Sequence, residues 1–279
     1  MSNKLIYTVN KGDTFSSITE SINSAMPITV SQLMKANPNA SPTDLQIGQE
    51  LNIPLTSSSS YQLSPSAEMM GFWYPYTRPS PTNATLSIAL YGWGPQKVIE
   101  WGNSNNVKDN LIGEKYLAFG GGGVEGKFTG QALDEINTAI KEEQIKSYHG
   151  IAYDIEIADA GLNDQFSMSF SLAKKLGYKV LVTVSHSAPY DDSDRDSLMS
   201  SFFANEDIDI LSPQLYSSGS EPANNFSITS GSNIRWQDYA SAKAKIVPSI
   251  VHDSYYPSAK QKFKTYGVEL AGYIQWKAN

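Results

Sequence analysis

Two carboxylates end one apolar stretch of this sequence, His149-Gly-Ile-Ala-Tyr-Asp-Ile-Glu156, which has the composition of a buried strand. Side chains alternate between the faces of a strand, so Ala152, Asp154 and Glu156 are predicted to share one face. Acids on an apolar face cost free energy unless a site uses them. Set two residues apart, they can share one proton, which is the division that general acid catalysis requires. The alternative is a strand end whose acids cap a helix or face solvent.

Further polar and aromatic residues end other predicted strands. Gln214 and Tyr216 close one such strand, and Trp276 closes the last one. In a closed barrel of parallel strands these ends meet at one rim, where barrel enzymes place their active sites. Two acids, an amide, a phenol and an indole at one rim are typical of a sugar site, because the rings supply stacking surface and an acid supplies the proton.

Strands and helices alternate from residue 69 to the end of the chain. This alternation predicts a parallel sheet with right-handed crossovers, and both a closed (β/α)8 barrel and an open doubly wound sheet satisfy it. The unit would hold about 210 residues, against roughly 250 in a typical barrel. The segment 75–113 is ambiguous: it holds either a strand over 85–90 with a helix over 95–101, or a degraded turn of the barrel near strand 2. The other strands are predicted over 69–74, 114–119, 149–157, 179–185, 208–216, 245–251 and 270–276, and the other helices over 130–143, 165–176, 193–203, 236–243 and 258–266.

A separate small unit precedes this pattern. Residues 5–54 contain two short strand signals flanking two helix signals, which indicates a compact α+β fold. Serine-rich residues 56–67 carry almost no charge and are predicted to be a linker. The predicted domains are therefore residues 1–55 and 68–279, joined by the linker.

The composition excludes several classes of function. The chain has 279 residues, of which 40% are hydrophobic and 18% charged, as in ordinary globular proteins. Its net charge of −7 argues against a nucleic-acid or anionic-membrane partner, and no apolar run is long enough to span a membrane. Cysteine is absent, which excludes disulfides, zinc–thiolate sites and thiol nucleophiles. No signal peptide is visible.

Two other motifs bear on cofactors and metals. Gly121–Gly126 satisfies the G-x-G-x-x-G pattern of dinucleotide sites, but it follows the third strand of its unit rather than the first. Asp191–Asp196 is acidic enough for calcium, but it lacks the glycine and the final glutamate of a calcium loop. We therefore predict no cofactor and no metal, with a nicotinamide-dependent enzyme as the weaker alternative.

The amino-terminal unit resembles a lysin motif (LysM) domain. The motifs that carry the resemblance occur in the family's order and spacing over the whole segment: Tyr7-Thr-Val9, Gly12-Asp-Thr14, Ile18, Leu33, Asn37-Pro38, Leu45, Gly48-Gln49 and Ile53-Pro54. The resemblance implies a domain that binds N-acetylglucosamine polymers through two loops. The implied sugar-binding residues are Gly12, Asp13, Thr14, Asn37 and Pro38.

The barrel pattern resembles glycoside hydrolase family 18, the chitinases and related barrels. The family's fourth strand reads D-x-x-D-x-D-x-E, where this chain has His149-x-x-Ala152-x-Asp154-x-Glu156. The family's third strand ends S-x-G-G, where this chain has Ala118-Phe-Gly-Gly121. The Gln214-x-Tyr216 signature and the final Trp276 also match, so the resemblance spans residues 69–276.

That resemblance implies a role for each matched residue. Glu156 would be the general acid, Asp154 would turn the substrate's acetamido group toward the anomeric carbon, and Tyr216 would steady the acetamido carbonyl. The acetamido oxygen would then act as nucleophile, the substrate-assisted exception to the scheme with two carboxylates. The implied substrate-binding residues are Gln214, Trp276, Phe72, Gly120 and Gly121.

Three polar positions of the family are apolar in this chain. The second acid of the motif is Ala152, the serine that supports it is Ala118, and a supporting tyrosine of the first strand corresponds to Phe72. Replacing a whole buried network can be close to neutral, whereas deleting one partner strands the others. The pattern therefore predicts a repacked layer below an intact site. The alternative is a decayed barrel that binds sugar without cutting it.

Together these features predict a glycosidase that cleaves β-1,4-linked N-acetylglucosamine polymers and is held to them by its LysM domain. A carbohydrate-binding protein without catalysis is the alternative. We expect a monomer whose partner is chitin or peptidoglycan, since both polymers contain N-acetylglucosamine. Such substrates favour an extracellular, cell-wall or spore-associated location.

Overall fold

The computed structural model describes residues 5–10, 12–23, 30–41, 45–54 and 68–278. The chain divides into two compact units, Met1–Pro65 and Ser66–Asn279. The predicted linker, 56–67, lies outside the described residues. None of the described helices is both long enough and apolar enough to cross a membrane.

The first unit has the small α+β fold that the sequence predicts. Strands β1 (Leu5–Thr8) and β2 (Glu50–Ile53) pair antiparallel, and helices α1 (Phe15–Asn23) and α2 (Val30–Ala36) lie between them in the chain. Apolar residues spaced three or four apart give each helix one buried face. The core of the unit is formed by Val9, Phe15, Ile18, Leu33, Leu51 and Ile53.

The second unit is a closed barrel of parallel strands. Its strands are β3 (Met69–Tyr74), β4 (Leu86–Ala89), β5 (Glu114–Gly120), β6 (Gly150–Ile155), β7 (Lys179–Ser185), β8 (Ile210–Gln214), β9 (Lys245–Ile246), β10 (Ser249–Ile250) and β11 (Gly272–Gln275). Neighbours around the sheet follow chain order, and β11 pairs back with β3. The short β9 and β10 share one strand position beside β8, interrupted at Pro248, which lacks a backbone N–H. The closure confirms the predicted (β/α)8 barrel and excludes the open sheet.

Helices cover most of the outer wall of the barrel. They are α3 (Pro95–Gly102), α4 (Asn105–Lys108), α5 (Gly130–Lys141), α6 (Asn163–Lys175), α7 (Arg195–Ala204) and α8 (Tyr256–Thr265). The ambiguous segment 75–113 thus contains a complete strand–helix unit, β4 with α3. Within the described stretch 68–278, the crossover that lacks any helix is the one from β3 to β4.

One predicted helix is wrong. Residues 236–243 were expected to form an α-helix, but the crossover from β8 to β9 holds a 3-10 turn at Trp236–Ser241. Its two buried aromatic residues, Trp236 and Tyr239, are three apart. That spacing puts both on one side of a helix with three residues per turn, so the shorter element buries them both.

Strand alternation sorts the apolar side chains of the barrel into an inner and an outer cluster. Along β6, Ala152 belongs to the inner cluster, whereas Tyr153 and Ile155 pack outward against the helices. The predicted faces of the acid-bearing strand are therefore correct. The inner face continues upward to Asp154 and Glu156 at the carboxyl end of the barrel.

Candidate active site

Asp154 and Glu156 meet a single amide at the carboxyl end of the barrel strands. Gln214 Nε2 donates to Asp154 Oδ1 at 3.2 Å and to Glu156 Oε1 at 3.1 Å. A further donor, Ser185 Oγ, lies 3.1 Å from Glu156 Oε2. Because β7 pairs with both β6 and β8, the strand register sets these side chains next to one another. Three residues predicted at the ends of two strands, Asp154, Glu156 and Gln214, are thus brought together.

Burial shifts the pKa values of Asp154 and Tyr216 at the site. Burial raises the pKa of Asp154 well above its ordinary value, and the neighbouring Glu156 carboxylate raises it further. Burial therefore favours a proton shared by this pair of carboxyl groups. Burial also raises the pKa of Tyr216, and Asp154 and Glu156 add to the effect.

Tyr216 presents a buried hydroxyl beside this pair. Ser249 lies close to it, but at a geometry that leaves the Tyr216 Oη without a hydrogen bond in the described part of the chain. Buried polar groups in native proteins are nearly always paired, so an open one next to two acids calls for a ligand. The phenol can donate to a carbonyl oxygen placed above it.

Glycines after β5 let the backbone pass close to the acids. Gly120 has φ 95°, and a Cβ there would come within 2.4 Å of the Asp154 carbonyl oxygen. A Cβ at Gly122 would lie 2.9 Å from Glu156 Oε2. A side chain at Gly120 would crowd the backbone of Asp154 and one at Gly122 would crowd the Glu156 carboxylate, so glycine keeps this wall of the site thin.

The same glycines do not form the dinucleotide motif considered above. After Gly120 the chain enters a 3-10 turn at Val124–Gly126, and α5 begins only at Gly130. A dinucleotide site needs the glycine turn to run directly into the N-terminus of a helix, where the pyrophosphate binds. That geometry is missing, and the motif belongs to the wall of the acid site.

The acidic stretch Asp191–Asp196 holds neighbouring loops together through hydrogen bonds. Asp194 Oδ2 accepts a hydrogen bond from the Gly161 N–H at 2.9 Å, and Asp196 accepts bonds from Ser232 Oγ and from Asn233. These protein donors occupy oxygens that a calcium ion would need. The structure therefore accounts for this stretch as loop support.

Trp276 lies at the end of β11, half-buried among other aromatic rings. Its indole stacks on Tyr76, with ring centroids 4.1 Å apart and 18° between the planes. Tyr216 is tilted against it at 5.5 Å. Trp276 therefore lies beside Tyr216, and Tyr76 shares its stacking surface.

A tight turn after β8 supports Trp276. Gly219 has φ 73°, and a Cβ at that position would lie 2.2 Å from Trp276 Nε1. The Glu221 carboxylate closes the turn by accepting the N–H groups of residues 217, 218 and 220. Burial alone would raise the pKa of Glu221, but these backbone hydrogen bonds outweigh it and lower the pKa to about 2.

Phe72 does not reach the site, and its predicted role in substrate binding is wrong. It packs in the outer cluster, whereas the next residue, Trp73, faces the barrel interior. Trp73 Nε1 donates to Ser249 Oγ at 3.0 Å, and its ring meets Trp276 edge-on at 6.0 Å. A shift of one residue moves a strand side chain to the other face, and an apolar strand has no polar alternation to reveal the correct parity.

The layer directly below the acids is apolar, as predicted. Ala118 and Ala152 are register partners on β5 and β6, and both are fully buried in the inner cluster. The large residue of that cluster on the first barrel strand is Trp73 rather than Phe72. At this point the inner cluster therefore combines two small side chains with one large ring.

Besides Trp73 and Tyr76, two further aromatic residues of the site were not predicted from the sequence. Tyr190 Oη donates to the Gly122 carbonyl oxygen at 2.7 Å, and Trp93 lies against Gly121. Each sits on the loop that follows a barrel strand, β7 and β4 respectively. Aromatic residues a few positions beyond the carboxyl end of a barrel strand are a usable signal, because those loops build the active site of this fold.

In the first unit, Asn37 is buried and fully used by the fold. Its Nδ2 donates to the Leu33 and Asn52 carbonyl oxygens, both at 2.8 Å, and its Oδ1 accepts the Asn52 N–H at 2.7 Å. Asn37 therefore positions the loop beside Pro38 and does not offer its side chain to a ligand.

The other loop of this unit is organised by Asp13. Its Oδ2 accepts from Tyr7 Oη at 2.9 Å and from the Asn10 N–H at 2.7 Å. Gly12, with φ 90°, and Thr14 are exposed beside it. The surface that these predicted residues present is therefore mainly backbone and short side chains.

The raised pKa of Asp154 predicts a stability cost that depends on pH. The folded state binds this proton more tightly than the unfolded chain does, whose carboxyl has the ordinary value of 3.8. The contribution of Asp154 to the free energy of unfolding therefore falls as pH rises from about 4 through the folded pKa. Asp154→Asn keeps an oxygen for Gln214 and removes this cost. We expect its melting temperature to rise relative to the parent between pH 4 and pH 8.

Glu100→Gln, at an exposed carboxylate on α3, serves as the control. Its melting temperature should keep the same offset from the parent at both pH values. An offset for Asp154→Asn that shrinks toward pH 8 would show that Asp154 is charged in the folded protein.

The chain is similar to two solved structures. One is the spore cortex-lytic enzyme SleL of Bacillus megaterium QM B1551, with 13% identity and a TM-score of 0.40. The other is SleL of Bacillus cereus, with 14% identity and a TM-score of 0.41. Each alignment covers 88% of this chain and 62% of the other chain, so this chain spans less than two thirds of their length. No curated protein matches the sequence.

A family model matches the first unit. The match covers residues 7–54, which is the segment that carries the motifs quoted above. The predicted resemblance is confirmed for this part of the chain. LysM domains bind glycans that contain N-acetylglucosamine, such as peptidoglycan or chitin. The amino-terminal unit of this protein is a LysM domain.

Proposed function

We propose that the barrel is a glycosidase of the kind found in glycoside hydrolase family 18. It hydrolyses β-1,4-linked N-acetylglucosamine polymers to which the LysM domain binds. The observation that carries the proposal is the acid pair held by one amide. Gln214 Nε2 lies 3.2 Å from Asp154 and 3.1 Å from Glu156, at the end of the barrel where this fold places its chemistry.

In the proposed first step Glu156 gives its proton to the glycosidic oxygen as the bond to the anomeric carbon breaks. The substrate's acetamido oxygen forms a new bond to that carbon from the opposite face, and the positive charge spreads onto the acetamido nitrogen. Asp154 stands where it can orient and stabilise the acetamido N–H. The open Tyr216 hydroxyl can hold the acetamido oxygen in line for attack.

In the second step water attacks the anomeric carbon and Glu156 takes its proton, so the configuration at that carbon is retained. One proton serves the pair throughout. Burial raises the pKa of Asp154, and the mechanism requires the shared proton to be on Glu156 when the glycosidic bond breaks. Such exchange is a property of two coupled carboxyl groups and not of either one alone.

The apolar layer below the acids supports this proposal over its rival, a decayed barrel that only binds sugar. Trp73, Ala118 and Ala152 are buried together in the inner cluster, and the Trp73 N–H is satisfied by Ser249. A barrel selected only for stable packing would not need Gln214, Ser185 and Tyr216 around two carboxyl groups. Burying these polar groups together costs free energy, and a catalytic role explains why they are present.

We expect the whole protein to release retained N-acetylglucosamine products from soluble oligomers and from insoluble chitin or purified peptidoglycan. A variant without residues 1–55 should cleave the soluble oligomers at a similar rate. It should be slower on the insoluble polymer, because tethering raises the local substrate concentration. Mass spectrometry of the products identifies the linkage that is cut, and side-by-side assays identify the polymer.

Each other result has a definite meaning. Binding to both polymers with no product from either would favour the decayed, sugar-binding barrel. If oligomer cleavage also collapsed in the truncated protein while its circular dichroism showed a folded barrel, the LysM domain would have to contribute to the reaction itself.

A further inference from the structure

An open pocket lies on the barrel beside the acid site. It has a volume of about 220 Å³ and is formed by the loop after β4, by α3 and by the turn after β5. Pockets for drug-sized ligands measure roughly 300–1,000 Å³, so this one suits a single ring. We call it the side pocket. Its principal lining residues are Tyr76, Trp93, Lys97, Trp101 and Glu125.

Three large aromatic rings of the side pocket are exposed to solvent. The exposed fractions are 47% for Tyr76, 47% for Trp93 and 46% for Trp101. Large apolar rings that cluster on an exposed surface usually mark a binding site, because folding buries such rings where no ligand needs them. Flat rings of this type suit the apolar C–H face of a sugar, while the edges of the pocket stay polar.

The side pocket is continuous with the acid site on two sides. A Cβ placed on Gly121 would lie 3.3 Å from the Trp93 Cδ1 and 3.5 Å from Asp154 Oδ2, so one glycine backbone separates the indole from the acid. On the other side Tyr76 lines the pocket and stacks on Trp276. A chain of linked rings seated at the acids would extend over this surface.

The charge of the side pocket is already balanced. Lys97 Nζ lies 3.6 Å from Glu125 Oε2, and both side chains are largely exposed. A ligand carboxylate that approached Lys97 would also approach Glu125, and it would lie near the acid pair. The exposed Lys97–Glu125 ion pair contributes little to stability. It does, however, remove the electrostatic attraction that an unpaired lysine would offer to a negatively charged sugar ring.

We infer that the side pocket is a glycan subsite that accepts an uncharged N-acetylglucosamine ring and disfavours a ring that carries a free carboxylate. The inference deepens the proposed function and rests on it. It assigns the preferred substrate as a neutral chitin-type chain, or a neutral stretch of a mixed polymer. The selectivity resides in Glu125, which faces the ligand, and the affinity resides in the aromatic rings.

The test measures binding by the whole protein carrying Glu156→Gln, which prevents turnover. All five tryptophans lie in the barrel unit, so tryptophan fluorescence reports this site and not the LysM domain. The probes are the hexamer and the dimer of N-acetylglucosamine. Trp101→Ala should weaken hexamer binding about three- to tenfold and leave dimer binding unchanged. Met168→Ala, which removes an exposed apolar side chain from α6, should change neither.

A charged probe tests the selectivity. It is an oligomer in which N-acetylglucosamine alternates with N-acetylmuramic acid, whose lactyl group carries a carboxylate. Glu125→Gln should raise its affinity about threefold or more at low salt, with the gain fading as salt screens the charges. Hexamer affinity should stay the same, and Lys97→Gln should oppose the gain when added.

Three results would overturn the inference. They are hexamer affinity unaffected by Trp101→Ala, equal effects of Glu125→Gln on the neutral and the charged probe, and hexamer binding that leaves tryptophan fluorescence unchanged. Each of these experiments measures binding and not cleavage. A wild-type protein that binds the hexamer but does not cleave it would therefore refute the proposed function and leave this inference standing.

Discussion

Replacing Glu156 by Gln is expected to slow cleavage of N-acetylglucosamine oligomers by a factor on the order of 10²–10⁴. The amide keeps the size of the side chain, its oxygen can still accept from Gln214, and its NH2 group can donate to the Ser185 hydroxyl in place of the bond that the carboxylate accepted. It has no proton to give to the leaving oxygen. Oligomer affinity should therefore be nearly unchanged, and the loss should appear in kcat rather than in KM.

Asp159→Asn is the matched control, because it neutralises an exposed acid only three residues further along the chain. Its kcat should equal that of the wild type. Turnover by Glu156→Gln at the wild-type rate would remove Glu156 from the mechanism. A loss of affinity equal to the loss of rate would assign Glu156 to ground-state binding instead.

Ala152→Asp is expected to lower the free energy of unfolding by about 1–3 kcal/mol, the cost of a buried polar group without a partner. The new carboxyl would enter the inner cluster among Trp73, Ala118 and Leu181. None of these can satisfy it, since the Trp73 N–H already donates to Ser249. A barrel of this size loses roughly 2–4 °C in Tm per kcal/mol. No gain in kcat is expected.

The pH dependence separates the polar cost from crowding. A carboxyl that must stay protonated when buried has a raised folded pKa, so its destabilisation grows as pH rises above about 3.9. Ala152→Val adds similar bulk without charge, and its loss of Tm should be the same at pH 4 and pH 8. The difference between the two variants should widen with pH.

Neighbouring substitutions give a further check. Adding Ala118→Ser supplies a hydroxyl on the paired strand position and should recover part of the loss, with a coupling of about 0.5 kcal/mol or more. Adding Phe72→Tyr should recover nothing, because that side chain faces the outer cluster. An Ala152→Asp variant that is as stable as the wild type and faster would mean that the layer is a degraded catalytic network.

Local pattern was enough to predict most elements of the barrel. The strands Met69–Tyr74 and Lys179–Ser185 match their predicted bounds, because each is a short, mainly apolar run with few alternatives. Period-two alternation placed Asp154 and Glu156 on the inner face, because polar residues mark the parity of that strand. The LysM segment was identified because its motifs are dense and fill the whole domain.

Where the residue pattern fits two arrangements equally well, the sequence alone could not predict which one the protein adopts. The first barrel strand is apolar on both faces, so nothing in its sequence distinguished Phe72 outside from Trp73 inside. The crossover at 236–241 has a helix-like composition, but the packing of Trp236 and Tyr239 favoured the tighter 3-10 turn. Both outcomes depend on which neighbours are available to bury a ring.

By itself the sequence determined the fold class, the LysM domain and the two acids with their strand, because each rests on residue type and short-range spacing. Only the tertiary structure decided that Gln214 binds both acids and that burial raises the pKa of Asp154. It also decided that Trp93 and Tyr76 join the site from separate loops. Burial and contacts between distant strands are properties of the closed barrel, and no local stretch of the chain contains them.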